Sequence, residues 1–367
     1  MKARITEPLI LFCAPGRYDN EMFKRKDFFS STESDEMYVA LKRFLEKKGY
    51  RVATIDQYDM AEADHIVFID AVINDPYFKE FKRRRKELKA RASLVVIDAA
   101  VINYYQHTGA ALKLFDRVLT WDPSRIDNRK FFPWHLPERF YAKDQFRIPY
   151  AKKKFICMVN GNKYSLFDGE LYSERKKAAH YFEKTPEGVD VYGSWWNKRP
   201  SFLAVLAHAG YRWRFFFRQL VTLDLKPYVH LLQYLLNTHP LLPKTVKGRY
   251  EGSSAEMYAK YKFAVCFENA RDVPGYATEK LFNCLNARCV PVYWGDDEIL
   301  EYVPRSCYID MRKFKDYAAL YKYLKSIDRK RYEQYIKSIN AFLKTANKGP
   351  YSIGAFVKNF YDGLIEN

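Results

Sequence analysis

One pattern constrains this chain more than any other, and it occurs twice. Short apolar runs, most closing on Asp, Asn or Gly, alternate with amphipathic stretches. Leu9–Ala14 (LILFCA), Arg51–Asp56 (RVATID), His65–Asp70 (HIVFID), Ser93–Asp98 (SLVVID) and Arg117–Asp122 (RVLTWD) read as buried strands. Between the first two, Asp35–Lys48 carries Met37, Val39, Leu41, Phe44 and Leu45 as a helical stripe, and Pro76–Arg91 reads as a second, very basic helix. Such alternation specifies a parallel sheet with crossover helices. After a polar, Pro-containing stretch from Asp122 to Lys154 the pattern restarts with Lys154–Asn160, a helix near Leu171–Phe182 and Val189–Gly193. It continues through Lys262–Asn269, a helix at Thr278–Ala287, Cys289–Gly295 and Cys307–Asp310. A chain of 367 residues exceeds what one core usually holds, roughly 250–300 residues. The expectation is α/β, with two Rossmann-like halves at 1–150 and 151–345 and a C-terminal helical segment at 346–367. Polar strand ends gather on one edge of each sheet, so a cleft between the halves is the expected ligand site.

The 62 Lys and Arg against 44 Asp and Glu leave a formal charge of +18, which suits nucleic acid, an anionic membrane surface or a phosphorylated small molecule. A hydrophobic fraction of 48% excludes wholesale disorder, and no run approaches the roughly 18 apolar residues of a spanning helix. The amino-terminal stretch lacks the features of a signal peptide. Cys13, Cys157, Cys266, Cys284, Cys289 and Cys307 form no CxxC pair, and reduced buried thiols without a metal are expected. With no Asn-x-Ser/Thr sequon, the expected compartment is cytoplasmic. Residues 194–247 interrupt the second half with eight Lys/Arg against one acid, Asp224, and many aromatics, Trp195, Trp196 and Trp213 among them. Two readings stay open: a helical insertion covering a core edge, or an element touching an anionic membrane or the acceptor through Arg212, Arg214 and Arg218.

The most informative stretch is Tyr261–Gly295, YKFAVCFENARDVPGYATEKLFNCLNARCVPVYWG, which reads strand, polar loop, helix, strand. Glu268 and Asn269 close the strand, and Tyr276, Thr278, Glu279 and Lys280 open the helix. A helix start presents free N–H groups and positive dipole to phosphate, Lys280 adds charge, and Glu279 can accept from sugar hydroxyls. Alternatively, Thr278 caps the helix and Glu279 complements its dipole.

The ordered series FEN…GYATEK…CVPVYWG closely resembles the donor-binding signature of the family 10 glycosyltransferases, the α-1,3/1,4-fucosyltransferases. The resemblance is strong over Lys154–Phe342 and looser over the first half, where Thr54–Asp70 and Thr120–Phe132 are similar. It implies a GT-B enzyme that inverts the anomeric centre of GDP-β-L-fucose. By the family pattern, Arg175 in YSER approaches the diphosphate with Lys280 nearby, and Tyr276 and Glu279 hold fucose or ribose hydroxyls. Asn269 lies beside the nucleotide, Asn160 and Asn162 follow the first donor-domain strand, and Lys247 is a further candidate.

An acceptor hydroxyl must lose its proton as it attacks C1. The family usually supplies a Glu for this, at the end of a strand before a Pro-containing loop. Here LVVIDAAVINYYQ puts Asp98 in that place without the Pro. Asp is shorter by a methylene, which moves the carboxylate by more than about 1 Å. Diphosphate can be neutralised by a guanidinium, an ammonium and a helix start, so no metal is required, although a divalent ion can stimulate. The implied partners are a GDP-sugar donor and a glycan or lipid-linked oligosaccharide acceptor, as in microbial surface polysaccharide or lipopolysaccharide synthesis. Rivals are the same fold with another sugar nucleotide, and a basic nucleic-acid-binding protein.

Overall fold

In the computed structural model, residues 7–24, 35–163, 165, 167–196, 244–250 and 252–366 are described. Arg212, Trp213, Arg214, Arg218 and most of the 194–247 insertion lie outside them. The first sheet contains β1 (Leu9–Cys13), β2 (Arg51–Thr54), β3 (His65–Ile69), β4 (Arg91–Val95), β5 (Arg117–Thr120) and β6 (Phe131–Pro133), in the order β2-β1-β3-β4-β5-β6. The second contains β7 (Lys154–Val159), β8 (Asp190–Tyr192), β9 (Val246–Gly248), β10 (Tyr261–Phe267), β11 (Val290–Trp294) and β12 (Ile309–Asp310), in the order β12-β11-β10-β7-β8-β9. Every pairing is parallel; Phe12 lies opposite Val67 in the first sheet and Val265 opposite Val292 in the second. Two α/β halves in series, each with its own core, make the GT-B architecture expected from the sequence.

The apolar runs form these strands because both faces of a parallel sheet are covered. In the first half the helix Pro76–Arg84 supplies Phe78 and Phe81, which meet Phe68 at 5.5 and 4.6 Å between ring centroids. Such ring pairs add about 0.5–1.5 kcal/mol each beyond burial. Asp75 caps this helix by accepting from the Phe78 amide at 3.0 Å, and Pro76 sits where no N–H is needed. The helix stops seven residues short of the expected Arg91. Arg85 turns away to bond the Leu114 carbonyl and the Asp116 carboxylate, at 2.7 and 2.8 Å. β4 likewise departs from expectation: it ends at Val95, and Ile97 and Asp98 leave the sheet because their amides turn to the Asp70 carboxylate. The polar, Pro-containing stretch between the halves contains β6 on the sheet edge. All six cysteines are buried and unpaired with one another.

The C-terminal segment returns to the first half. Its helix Ile353–Phe360 stacks Phe360 on Phe12 at 5.7 Å and sets Phe356 against Trp134 at 5.7 Å. The chain therefore crosses between halves twice, and the crossings are laced by side-chain amides. Asn347 bonds both the N–H and the carbonyl of Phe140, and Asn286 accepts from Tyr141 while donating to Arg139. Arg288 donates to the carbonyls of Tyr141 and Ala142. Of the aromatics at the ends of the 194–247 insertion, Trp196 is not a surface anchor: it is buried in the second core and donates to the Asn160 carbonyl. Trp195 is exposed. No helix among the described residues is long and apolar enough to cross a membrane.

At the cleft mouth, Gly275 of the second half presses on Trp121 of the first. Its φ is +78°, and an added Cβ would lie inside the Trp121 carbonyl oxygen. Gly275→Ala is therefore expected to cost about 1–3 kcal/mol through backbone strain alone and to push the halves apart. A lower melting temperature together with a larger radius of gyration in small-angle scattering checks this; an unchanged scattering curve refutes the wedge.

Candidate functional site

A cavity of about 270 Å³ opens where the carboxyl ends of the two sheets meet. Its lining includes Asp98 from the first half, Asn160 and Lys163 from the loop after β7, and Arg175 from the helix Tyr172–Phe182. Asn269, Tyr276, Thr278, Glu279 and Lys280 complete it from the loop after β10 and the helix Glu279–Asn286. Residues far apart in sequence converge here because parallel strands end on the same edge.

Arg175 is 2% exposed, so its charge is held in a largely dry environment that pulls the guanidinium down from its ordinary value. One terminal nitrogen donates to the Phe267 carbonyl at 2.7 Å and to Asn269 Oδ1 at 3.0 Å. Asn269 passes the bond on, donating through Nδ2 to the Tyr276 hydroxyl at 2.8 Å. Arg175 Nε and Asn160 Oδ1, both buried, have no hydrogen-bond partner among the described residues. An unpaired buried donor or acceptor costs roughly 1–3 kcal/mol, and two of them bordering one cavity mark it as built for a polar ligand.

Lys280 donates to Thr278 Oγ1 at 2.8 Å and approaches Glu279 at 3.3 Å. Burial pushes the Glu279 carboxyl up, but the Lys280 charge and local hydrogen bonds outweigh it, leaving the group below its ordinary range. Asp98 goes the other way: burial raises it, with Glu279 reinforcing and Lys163 and Lys280 opposing. Its carboxylate carries no hydrogen bond from the described residues. A carboxylate with raised affinity for a proton and no internal partner is suited to proton abstraction.

Three sequence candidates stand apart from this cavity. Glu268 is fully buried beneath it, accepting from the Thr278 amide and hydroxyl at 2.9 and 2.7 Å, so it is a brace rather than a ligand contact. Thr278, which does line the cavity, is the N-cap residue of its helix but spends its hydroxyl on Glu268 rather than on the helix amides. Asn162 donates to the Trp195 carbonyl at 3.3 Å and ties two loops together. Lys247 lies on the β9 edge, 3.5 Å from Asp190. Conversely, sequence reasoning passed over Lys163, whose ammonium is pulled down by burial and faces Asp98. The run NGNK directly after a buried strand was its available signal. The adjacent carboxylates Asp296 and Asp297 are engaged by the Gly275 amide and by Arg312. No group of three potential metal ligands occurs among the described residues.

A second cavity of about 310 Å³ adjoins the first, sharing Ile97, Leu136 and Glu279. Ala14, Met37, Tyr38, Ile69, Asp70 and Val72 give it a mostly apolar wall from the first half. The arrangement is thus a cationic chamber and an apolar one, with Ile97 at their junction and Asp98 next to it.

Comparison with known proteins places these observations. The profile described as glycosyltransferase family 10 (fucosyltransferase), C-terminal, matches residues 233–346. An α-(1,3)-fucosyltransferase of Helicobacter pylori is 26% identical over 109 residues, 30% of this chain and 21% of that protein. Mouse (Mus musculus) α-(1,3)-fucosyltransferase 4 is 43% identical over 74 residues, 19% of this chain and 17% of its own length. Matches to curated relatives span only 14–21% of the relatives' lengths. A solved α1,3-fucosyltransferase with GDP superimposes at a TM-score of 0.50 and 14% identity, covering 96% of this chain and 94% of that one. This last likeness is one of fold. The family-model match goes further: residues 233–346, within a chain of GT-B fold, match the C-terminal domain of glycosyltransferase family 10, the fucosyltransferase family.

Proposed function

We propose that the chain transfers fucose from GDP-β-L-fucose to a hydroxyl of a glycan acceptor, inverting the anomeric centre in one displacement. The observation that carries this reading is the cavity in which Arg175, Lys163 and Lys280 face Asp98, with Arg175 Nε and Asn160 Oδ1 unpaired among the described residues. The donor diphosphate lies against the three cations. The acceptor enters by the adjoining apolar chamber, whose wall suits the less polar face of a sugar ring. The acceptor oxygen forms its bond to C1 as the bond from C1 to the diphosphate oxygen breaks. Its proton passes to the Asp98 carboxylate, and the departing electron pair ends on the diphosphate. Arg175 and Lys280, fixed before the reaction by Asn269 and Thr278, meet that charge without reorganising. Tyr276 and Glu279 are assigned to sugar hydroxyls. The biological setting that fits a basic chain of this family is synthesis of a microbial surface or lipid-linked glycan on the cytoplasmic side, at or near an anionic membrane.

Arg175→Ala and Lys280→Ala are each expected to lower transfer roughly 100- to 1,000-fold, because each removes a preorganised contact to developing charge. Initial rates with GDP-fucose and a glycan acceptor panel measure this. Near-normal transfer by the double variant would sink the diphosphate clamp.

Asp98 must be ionised to accept the proton, and its pKa is raised, so kcat is expected to fall as pH drops through a value above the ordinary carboxylate range. Asp98→Asn should abolish most turnover and that acid limb while leaving GDP-fucose affinity near wild type. A variant that turns over normally would place the base elsewhere.

With three cations lining the donor chamber, transfer is expected to persist in excess EDTA, with added Mg²⁺ or Mn²⁺ changing rates only modestly. A thermal-shift panel checks the donor: GDP-fucose at 100 times its Kd should stabilise by about 2.7 kcal/mol. A larger shift with UDP-glucose than with GDP or GDP-fucose would reassign the donor.

A further inference from the structure

The dipeptide Ile97–Asp98 has left its strand, yet none of its backbone polar groups is loose. Both amides donate to one atom, Asp70 Oδ1, at 2.7 Å from Ile97 and 3.2 Å from Asp98. The Ile97 carbonyl accepts from Trp121 Nε1 at 3.2 Å. The Asp98 carbonyl accepts from Gln106 Nε2 at 2.7 Å and from His107 Nε2 at 2.9 Å. A carbonyl can only accept, so this imidazole carries its proton on Nε2. Gln106 is fully buried, and its Oε1 takes the Ala71 amide at 3.0 Å, which locks the residue after Asp70 to the same clamp. Asp70 itself sits at φ +59°, an uncommon conformation for a residue other than glycine and one that Asn and Asp tolerate best. Four side chains thus saturate two residues that belong to no strand or helix, while the Asp98 carboxylate has no hydrogen bond from the described residues.

From this geometry we infer that Asp70 is the positioning residue of the proton acceptor: its carboxylate gathers the two amides that aim Asp98 into the donor cavity, with Gln106 and His107 holding the opposite side of the peptide. The inference rests on the reading of Asp98 as the base. Asp70 also lines the apolar chamber, so the group that aims the base borders the space assigned to the acceptor. Burial and the facing Asp98 carboxylate push Asp70 up to about 7. The charges that act on Asp98 are Lys163 and Lys280, which lower its proton affinity, and Glu279, which raises it.

The test compares Asp70→Gly with Asp70→Asn. Glycine removes the acceptor atom without straining φ +59°, whereas asparagine keeps an oxygen for the two amides and removes only the charge. Asp70→Gly is expected to lower kcat about 100-fold, the scale of a misplacement near 1 Å, with the Kd for GDP-fucose within about twofold of wild type. Asp70→Asn, which keeps the acceptor oxygen for both amides, is expected to recover kcat to within about fivefold of wild type. Asp70→Gly added to Asp98→Asn should cost nothing further, because Asp70 acts through Asp98. A soluble, cooperatively melting Asp70→Gly that keeps wild-type kcat overturns the inference. So does an Asp70→Asn no better than Asp70→Gly, or a double variant markedly slower than Asp98→Asn alone. The parent reading fails separately: Asp98→Asn would then turn over normally whatever stands at position 70.

Discussion

The donor side of the cleft depends on one buried carboxylate. Glu268 closes β10 with 0% exposure, and a charge so placed is tolerable only if paired and hydrogen-bonded. It receives the amide and hydroxyl of Thr278, and Lys280 stands 3.6 Å away. Burial nonetheless pushes the carboxyl up, with Lys280 holding against it. These bonds close residues 269–277 into an arch between strand and helix. The arch presents Asn269 and Tyr276 to Arg175, and leans Gly275 on Trp121 of the other half. Removing Glu268 would free the ends of the arch, and every cavity contact above would lose its reference.

The halves are joined asymmetrically. At the back, the two crossings are laced by directional bonds from Asn286, Arg288 and Asn347 to backbone groups. At the mouth, the contacts are the close approach of Gly275 to Trp121, the Trp121–Tyr276 ring pair at 5.1 Å and one hydrogen bond, from Ser165 Oγ to the Val101 carbonyl at 3.1 Å. Contacts of shape weaken steeply with small displacements, whereas hydrogen-bonded backbone tolerates little displacement at all. The mouth therefore sets how closely the cationic chamber and Asp98 face each other, and the back sets the axis about which they do so.

The strands were legible because burial on both faces leaves an apolar run that few other structures require. Their carboxyl ends were legible for the same reason, which brought Asn269 and Lys280 forward, whereas Arg175 and Asp98 came forward only through the resemblance to family 10. What escaped was whatever depends on register and partner rather than type. The run SLVVID reads as one strand, yet its last two residues answer to Asp70, almost thirty positions earlier in the chain. Glu268 has the composition of a ligand contact, and only its burial shows it to be a brace. Lys163 looked like one of 62 basic residues until the fold placed it opposite Asp98. Trp196 shared an aromatic, basic neighbourhood with residues of a candidate anchor but packs in the core.

A base and an anion clamp in one cavity make conflicting demands. Cations that neutralise a leaving diphosphate also stabilise an ionised Asp98, and a carboxylate stabilised in that way is a poorer proton acceptor. Lys163 and Lys280 both act on Asp98 in this sense. The structure opposes them with burial and with Glu279, and Asp98 remains above its ordinary value. The clamp's nearest carboxylate, Glu279, is meanwhile held below its own ordinary value by Lys280. Two carboxylates in one chamber are thereby pushed apart in proton affinity, each by the residues that hold it. In the proposed transfer this separation assigns their roles: Glu279 stays ionised to accept from sugar hydroxyls, and Asp98 takes the proton.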